Sequence, residues 1–130
     1  MARDGSGTSG SPAEFDFDRL ASISDGDDTF EREIARDYLA QARELVSRMG
    51  VSLERGDTPA LRRDAHTLKG SSRTIGAEGL GSIGAELERL AAGPDPAATR
   101  AALDRGQSCL VATEQRLDDY FGTDDYRKAA

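Results

Sequence analysis

The sequence predicts an all-α fold: an antiparallel up-down-up-down four-helix bundle with a short extra N-terminal helix. Three observations predict it. Apolar residues recur at three- and four-residue spacing in four long stretches, those stretches are separated by short connections rich in Gly, Pro and capping residues, and no stretch alternates apolar and polar residues as a half-buried strand does. A length of 130 residues fits one domain with one core, in which roughly two-thirds of the unfolded surface is buried.

Residues 1–13 are rich in Gly, Ser and Thr and include Pro12, a composition that cannot bury a core, so they read as a disordered linker or an appended segment. The bundle is expected over residues 14–122. Phe15, Phe17 and Leu20 open it as a short helix that closes one end. Asp27 or Asp28 can cap the next helix, in which Phe30, Ile34, Tyr38, Ala42, Leu45, Met49 and Leu53 form the apolar face up to Gly56. A third helix is expected from Thr58 as N-cap with Pro59 at the first helical position, stopping at Gly76. Its core stripe is Leu61, Ala65, Leu68, Ser72 and Ile75, which fall within roughly 80° of one another on a helical wheel. Leu80, Ile83, Leu87 and Leu90 define a fourth helix ending near Gly93-Pro94. Gly79, Gly81 and Gly84 weaken it by about 1 kcal/mol each relative to Ala, which fits either close approach to a neighbouring helix or simple looseness at its start. From Pro96 a last helix turns Leu103, Leu110, Leu117 and Phe121 inward, with Val111 and Tyr120 widening that face. Residues 123–130 read as a polar tail.

His66 is the sole histidine, and any imidazole chemistry of this chain belongs to it. The wheel sets it roughly 140° from the centre of the core stripe, facing solvent. Arg62, Arg63, Lys69 and Arg73 surround it against Asp64 alone, a local basic excess in a chain of net charge −7. An exposed imidazole among cations is suited to carrying a phosphoryl group, because its neutral nitrogen is a nucleophile near pH 7 and the cations offset the charge that arrives. Lys69 and Arg73 lie one and two turns along the same flank. Gly70, one turn beyond His66, leaves a gap through which a partner can bring its own reacting group close. Glu88 is either a plain surface carboxylate or, if its helix packs antiparallel beside the His66 helix, the group that holds one ring N–H and leaves the other nitrogen free.

The run His66-Thr67-Leu68-Lys69-Gly70-Ser71-Ser72, followed by Gly76 and Leu80, resembles the signature of histidine-containing phosphotransfer (HPt) domains. The likeness extends to Phe17-Asp18-Arg19-Leu20, Asp37-Tyr38-Leu39 and Leu87-Glu88, and so covers roughly residues 15 to 122. The resemblance implies a four-helix bundle that relays phosphoryl groups between response-regulator receiver domains or accepts them from a sensor histidine kinase. It implies that His66 is the phosphorylated residue, Lys69 a phosphate-stabilising residue and Gly70 the close-approach residue. Arg73 departs from the pattern, since many members carry a small residue there; it is expected to add to phosphate binding or to alter which partner docks. Arg62 joins Gly70 on the expected docking face. Mg²⁺ is expected on the partner receiver only, and none on this chain.

Other classes fit poorly. One histidine with no recognisable Ser or Cys partner offers no triad, and a di-metal carboxylate bundle would want Glu-x-x-His on each of two helices. Cys109 is alone, which rules out an intrachain disulfide and a thiolate metal cluster, and it reads as a small buried helix residue. A pI near 4.7 argues against nucleic acid or an anionic membrane as the partner. No stretch approaches the ~20 apolar residues of a membrane span, and residues 1–13 lack the apolar run of a signal peptide, so a cytoplasmic monomer is expected. A phosphotransfer protein rather than a kinase is the leading reading, and a non-catalytic helical adaptor is the alternative.

Overall fold

A computed structural model describes residues 14–122; the linker expected at 1–13 and the tail expected at 123–130 lie outside the described residues. The chain forms α1 (Phe17–Ile23), α2 (Asp28–Arg55), α3 (Thr58–Ile75), α4 (Glu78–Ala91) and α5 (Pro96–Phe121), with no strand among the described residues. Aspartate starts four of the five helices. Asp16, Asp27, Asp57 and Asp95 each accept a hydrogen bond from the backbone N–H three residues on, filling one donor that the first turn leaves open. The start of α3 is thereby corrected by one residue: Asp57, not Thr58, is the cap, and its carboxylate accepts from Ala60 N at 3.1 Å. Gly56, Gly76 and Gly122 end α2, α3 and α5 in the left-handed conformation.

Each long helix packs on its neighbour in sequence, and α5 returns to α2, which closes the ring of four. Connections of two residues (56–57 and 76–77) and four residues (92–95) make successive helices antiparallel. α2 has 28 residues and α3 has 18, a difference of roughly 15 Å in length. Residues 14–23 occupy that end of the bundle. Asp16 N donates to Gly76 O at 2.7 Å and Gly79 N to Glu14 O at 3.2 Å, so the incoming chain is tied directly to the α3–α4 turn. Phe15 and Leu20 enter the common core there, and Phe17 stacks on Tyr120 with ring centroids 4.2 Å apart.

The expected stripe of α3 is buried in full. That of α2 is not. Phe30 is exposed, while Ile34 and Leu53 are half-buried. Steps of four advance a helix by about 40° beyond a full turn, so a ladder from Phe30 to Tyr38 walks off the core face. The buried set is Glu31, Ala35, Tyr38, Ala42, Leu45, Met49 and Ser52, spaced alternately by four and three, with Leu39 and Val46 beside it. Glu31 heads this stripe as an acid and receives Tyr120 OH at 3.2 Å. In α5, Leu103, Leu110, Leu117 and Phe121 are buried as the spacing predicts, whereas Val111 is exposed and Tyr120, partly exposed, packs on Phe17 and Phe121 at the edge of that face. In α4, Leu80, Ile83 and Leu87 are buried and Leu90 only half so. Cys109 lies in the core, where burial pushes its thiol up from the ordinary value. No helix among the described residues is long and apolar enough to cross a membrane.

Candidate functional site

His66 sits midway along α3, one position past the buried Ala65, and its side chain is 66% exposed. The adjacent acid, Asp64, points the other way. Arg48 of α2 grips it with Nε at 3.2 Å and a second nitrogen at 2.8 Å, so the carboxylate of α3 is buried and neutralised in the α2–α3 seam. A second bond, between Tyr38 Oη and Ser72 Oγ at 2.5 Å, crosses the same seam in the core. Burial raises the Tyr38 phenol well above its ordinary value, so it stays neutral and both hydroxyls remain paired. These two bridges fix α3 in rotation about its own axis and so fix the direction of His66.

The opposite side of the imidazole is set by α4. Glu88 bridges two groups of α3: one carboxylate oxygen is 2.9 Å from His66 Nδ1 and the other is 2.7 Å from Lys69 Nζ. Glu88 is therefore the bridging carboxylate and not a plain surface one. The Lys69 ammonium first, and the imidazole second, hold its carboxyl below the usual carboxylate range, so it is ionised at neutral pH. An ionised carboxylate only accepts, which requires the proton on Nδ1. Among the described residues Nε2 has no hydrogen-bond partner, and in the neutral ring with Nδ1 protonated it is the nitrogen that carries the lone pair.

What lets α4 approach is the absence of side chains. A Cβ on Gly84 would stand 2.7 Å from Lys69 N and 2.9 Å from Lys69 Cα, and one on Gly81 would stand 3.1 Å from Arg73 Cγ. Close helix contact, and not looseness, accounts for both glycines. Gly70 has a different setting: a Cβ there would meet nothing within 4 Å, so internal packing gives no reason for glycine at that position. Arg62, Arg63 and Arg73 are exposed along α3, and the structure joins none of them to the imidazole. Of the residues singled out from sequence, His66, Lys69 and Glu88 are brought together, while Arg62, Gly70 and Arg73 share the exposed surface of α3. Arg48 and the Tyr38–Ser72 pair went unread, and only the spacing of Asp64, three residues after Leu61 and four before Leu68, hinted that an acid lay on the buried side.

An exposed imidazole nitrogen on a convex helix, backed by an ionised carboxylate with a lysine one turn away, is chemically able to accept a small electrophilic group. Two clefts among the described residues lie away from His66, one at the end of the bundle by Leu53 and Pro96 and one in a groove by Val46 and Leu110. Residues 33–121 match the family model for the Hpt domain, and the chain belongs to that family. Hpt domains are the phosphotransfer modules of two-component signalling and are not kinases. Comparison with curated proteins gives no matching relative.

Proposed function

We propose that this chain is a phosphorelay intermediate that takes a phosphoryl group on His66 from the aspartyl phosphate of a response-regulator receiver domain and passes it to another. Nε2 is the attacking atom. Its lone pair forms the N–P bond as the P–O bond to the aspartate breaks, and the aspartate leaves as a carboxylate carrying that electron pair. The ring is then cationic, with Nδ1–H still donated to Glu88, whose negative charge offsets it. No proton has to leave, and attack by a receiver carboxylate on phosphorus reverses the step.

Lys69, held by Glu88 one turn from the ring, is the cation nearest the incoming phosphoryl oxygens, and Arg73 adds charge further along. Gly70 and Arg62 belong to the docking face, where the missing side chain admits the receiver's phosphorylated loop. The receiver brings Mg²⁺ in its own acidic pocket, which the basic flank of α3 complements. A sensor kinase can supply the phosphoryl group in place of a receiver, with the monomeric chain as carrier. The observation that carries this reading is the 2.9 Å contact of Glu88 with Nδ1, which leaves the exposed Nε2 as the free nucleophile.

The test is labelling from a receiver charged with radioactive phosphoryl groups, on the wild type and on His66→Gln. The wild type takes an acid-labile, alkali-stable label. His66→Gln takes none while its helical circular dichroism and melting are unchanged, since an exposed side chain contributes little packing. Label on the variant, or none on the wild type with any receiver, overturns the proposal, and the latter leaves the adaptor reading.

A further inference from the structure

Resting on that reading, we infer that Gly84 is a positioning residue for the transfer: it sets the α3–α4 separation at which one carboxylate, Glu88, reaches both His66 Nδ1 and Lys69 Nζ. Gly84 and Glu88 are one helical turn apart and so lie on the same side of α4. The three atoms closest to a Cβ at Gly84 are Lys69 N at 2.7 Å, Lys69 Cα at 2.9 Å and Ala65 O at 3.2 Å. All three are backbone. No rotamer change can clear them, and α4 has to retreat by about 0.7 Å to bring the shortest to an ordinary 3.4 Å.

Two other helical glycines, Gly81 and Gly106, behave differently. At Gly81 the nearest atom is Arg73 Cγ, on a flexible side chain, and at Gly106 it is Ile83 Cγ2 at 3.5 Å, an ordinary contact. Gly84 is thus where the backbones of α3 and α4 meet, and the residues it meets are Lys69 itself and the carbonyl preceding His66. Glu88 has little slack. Its two oxygens, fixed in one plane, are committed to partners at 2.9 and 2.7 Å on successive turns of α3, so a retreat of α4 lengthens both contacts together. Loss of the Nδ1–H acceptor frees the neutral ring to put its proton on Nε2, and the nucleophilic nitrogen becomes the protonated one.

The experiment reads the tautomer directly, by long-range proton–nitrogen NMR of the unphosphorylated protein at a pH where the ring is neutral. Wild type shows the proton on Nδ1, and Glu88→Ala loses that bias. Gly84→Ala is expected to shift toward the Glu88→Ala spectrum and to slow transfer about tenfold, in line with the roughly 100-fold that a 1 Å misplacement can cost. The double variant is no slower than Glu88→Ala alone, because both act through one contact. Gly106→Ala leaves tautomer and rate as in wild type. A folded Gly84→Ala protein with the wild-type tautomer, or a double variant in which the two losses add, overturns the inference. If Gly84→Ala fails to fold, Glu88→Asp shortens the reach with α4 in place: a lost Nδ1–H bias supports the role of the separation, and a retained one overturns it. A wild-type chain that accepts no phosphoryl group overturns the relay alone, and an unchanged tautomer in Gly84→Ala overturns the role of Gly84 alone.

Discussion

Between α3 and α4 the main chains themselves are in contact at Gly84, and the side chains that cross the seam, Glu88 to His66 and Lys69, are short-range and shared. Between α2 and α5 the surface crossing is made by long side chains: Arg43 pairs with Glu114, Arg100 lies 3.9 Å from Glu54, and Tyr120 reaches Glu31. That side also leaves Val51 exposed along a groove, and Val111 of α5 is exposed as well. A seam limited by a backbone contact has one separation, because the atoms that meet at Gly84 have no rotamer to change; a seam of long side chains accommodates small shifts at little cost. The imidazole is placed on the first kind. The α2–α5 side supplies cohesion, and the α3–α4 side supplies a fixed distance.

The largest expected effect tests whether these two roles separate. Leu39→Ala removes a fully buried α2 side chain and is expected to cost about 2–5 kcal/mol of stability, while the folded fraction transfers phosphoryl groups at the wild-type rate. Denaturant melts and transfer assays on the same sample check it, and a changed rate in the folded fraction would show that the halves are coupled. Gly70→Gln is the converse. The position is open and helical, so stability is kept or rises by up to about 1 kcal/mol, yet transfer from a charged receiver falls about 100-fold because the reacting groups are held apart. Full activity there would move the docking face off this surface.

Lys69→Ala comes next. Losing one charge-assisted contact worth about 1.5 kcal/mol slows transfer roughly tenfold, with a smaller effect for Arg73→Ala, two turns from His66. Rates equal to wild type in both would reduce the basic flank to a solvated surface. The smallest effect lies between α4 and α5, where Arg105 holds Glu86 at 2.8 and 2.9 Å and keeps its carboxyl below the ordinary value. A depressed carboxylate contributes stability above its unfolded pKa and loses it as pH falls through the folded one. Arg105→Ala should therefore be less stable than wild type by only about 0.5 kcal/mol near pH 7, given its exposure, and the gap should close in acid below the usual carboxylate range. A gap that persisted unchanged at low pH would point to packing by the arginine stem.

Much of this was legible from residue order alone, and the failures have physical causes. The α3 stripe could be read because its members alternate by four and three and are all apolar or small. The α2 stripe has the same spacing but begins at Glu31, an acid, and Phe30 beside it drew the pattern off by one position. The cap at α3 slipped from Asp57 to Thr58 because both residue types can accept the open N–H, and only the formed bond to Ala60 distinguishes them. His66, Lys69 and Gly70 stood out by spacing within one helix. Glu88 could only be offered as one of two readings, since its distance from His66 depends on how close α4 packs, and that depends on a glycine whose purpose no wheel reveals.

The tie between residues 14–16 and the α3–α4 turn bears on where this domain ends as a folding unit. The family match begins at residue 33, and every residue assigned to the chemistry lies inside it. Yet Gly76 has no room for a Cβ because the Asp16 carbonyl and the Arg19 side chain fill that space, and the turn's carbonyl and amide are paired with the incoming chain. A protein cut back to 33–121 keeps the reactive helix and discards the plug that seals the turn, together with Phe15, Leu20 and the Asp27 cap of α2. Its turn opens to water at the end from which α4 starts, so a fragment defined by shared ancestry is expected to melt earlier than the 14–122 unit. The reach of recognisable kinship and the reach of cooperative folding differ here by the two turns of α1, the first turn of α2 and a short tether.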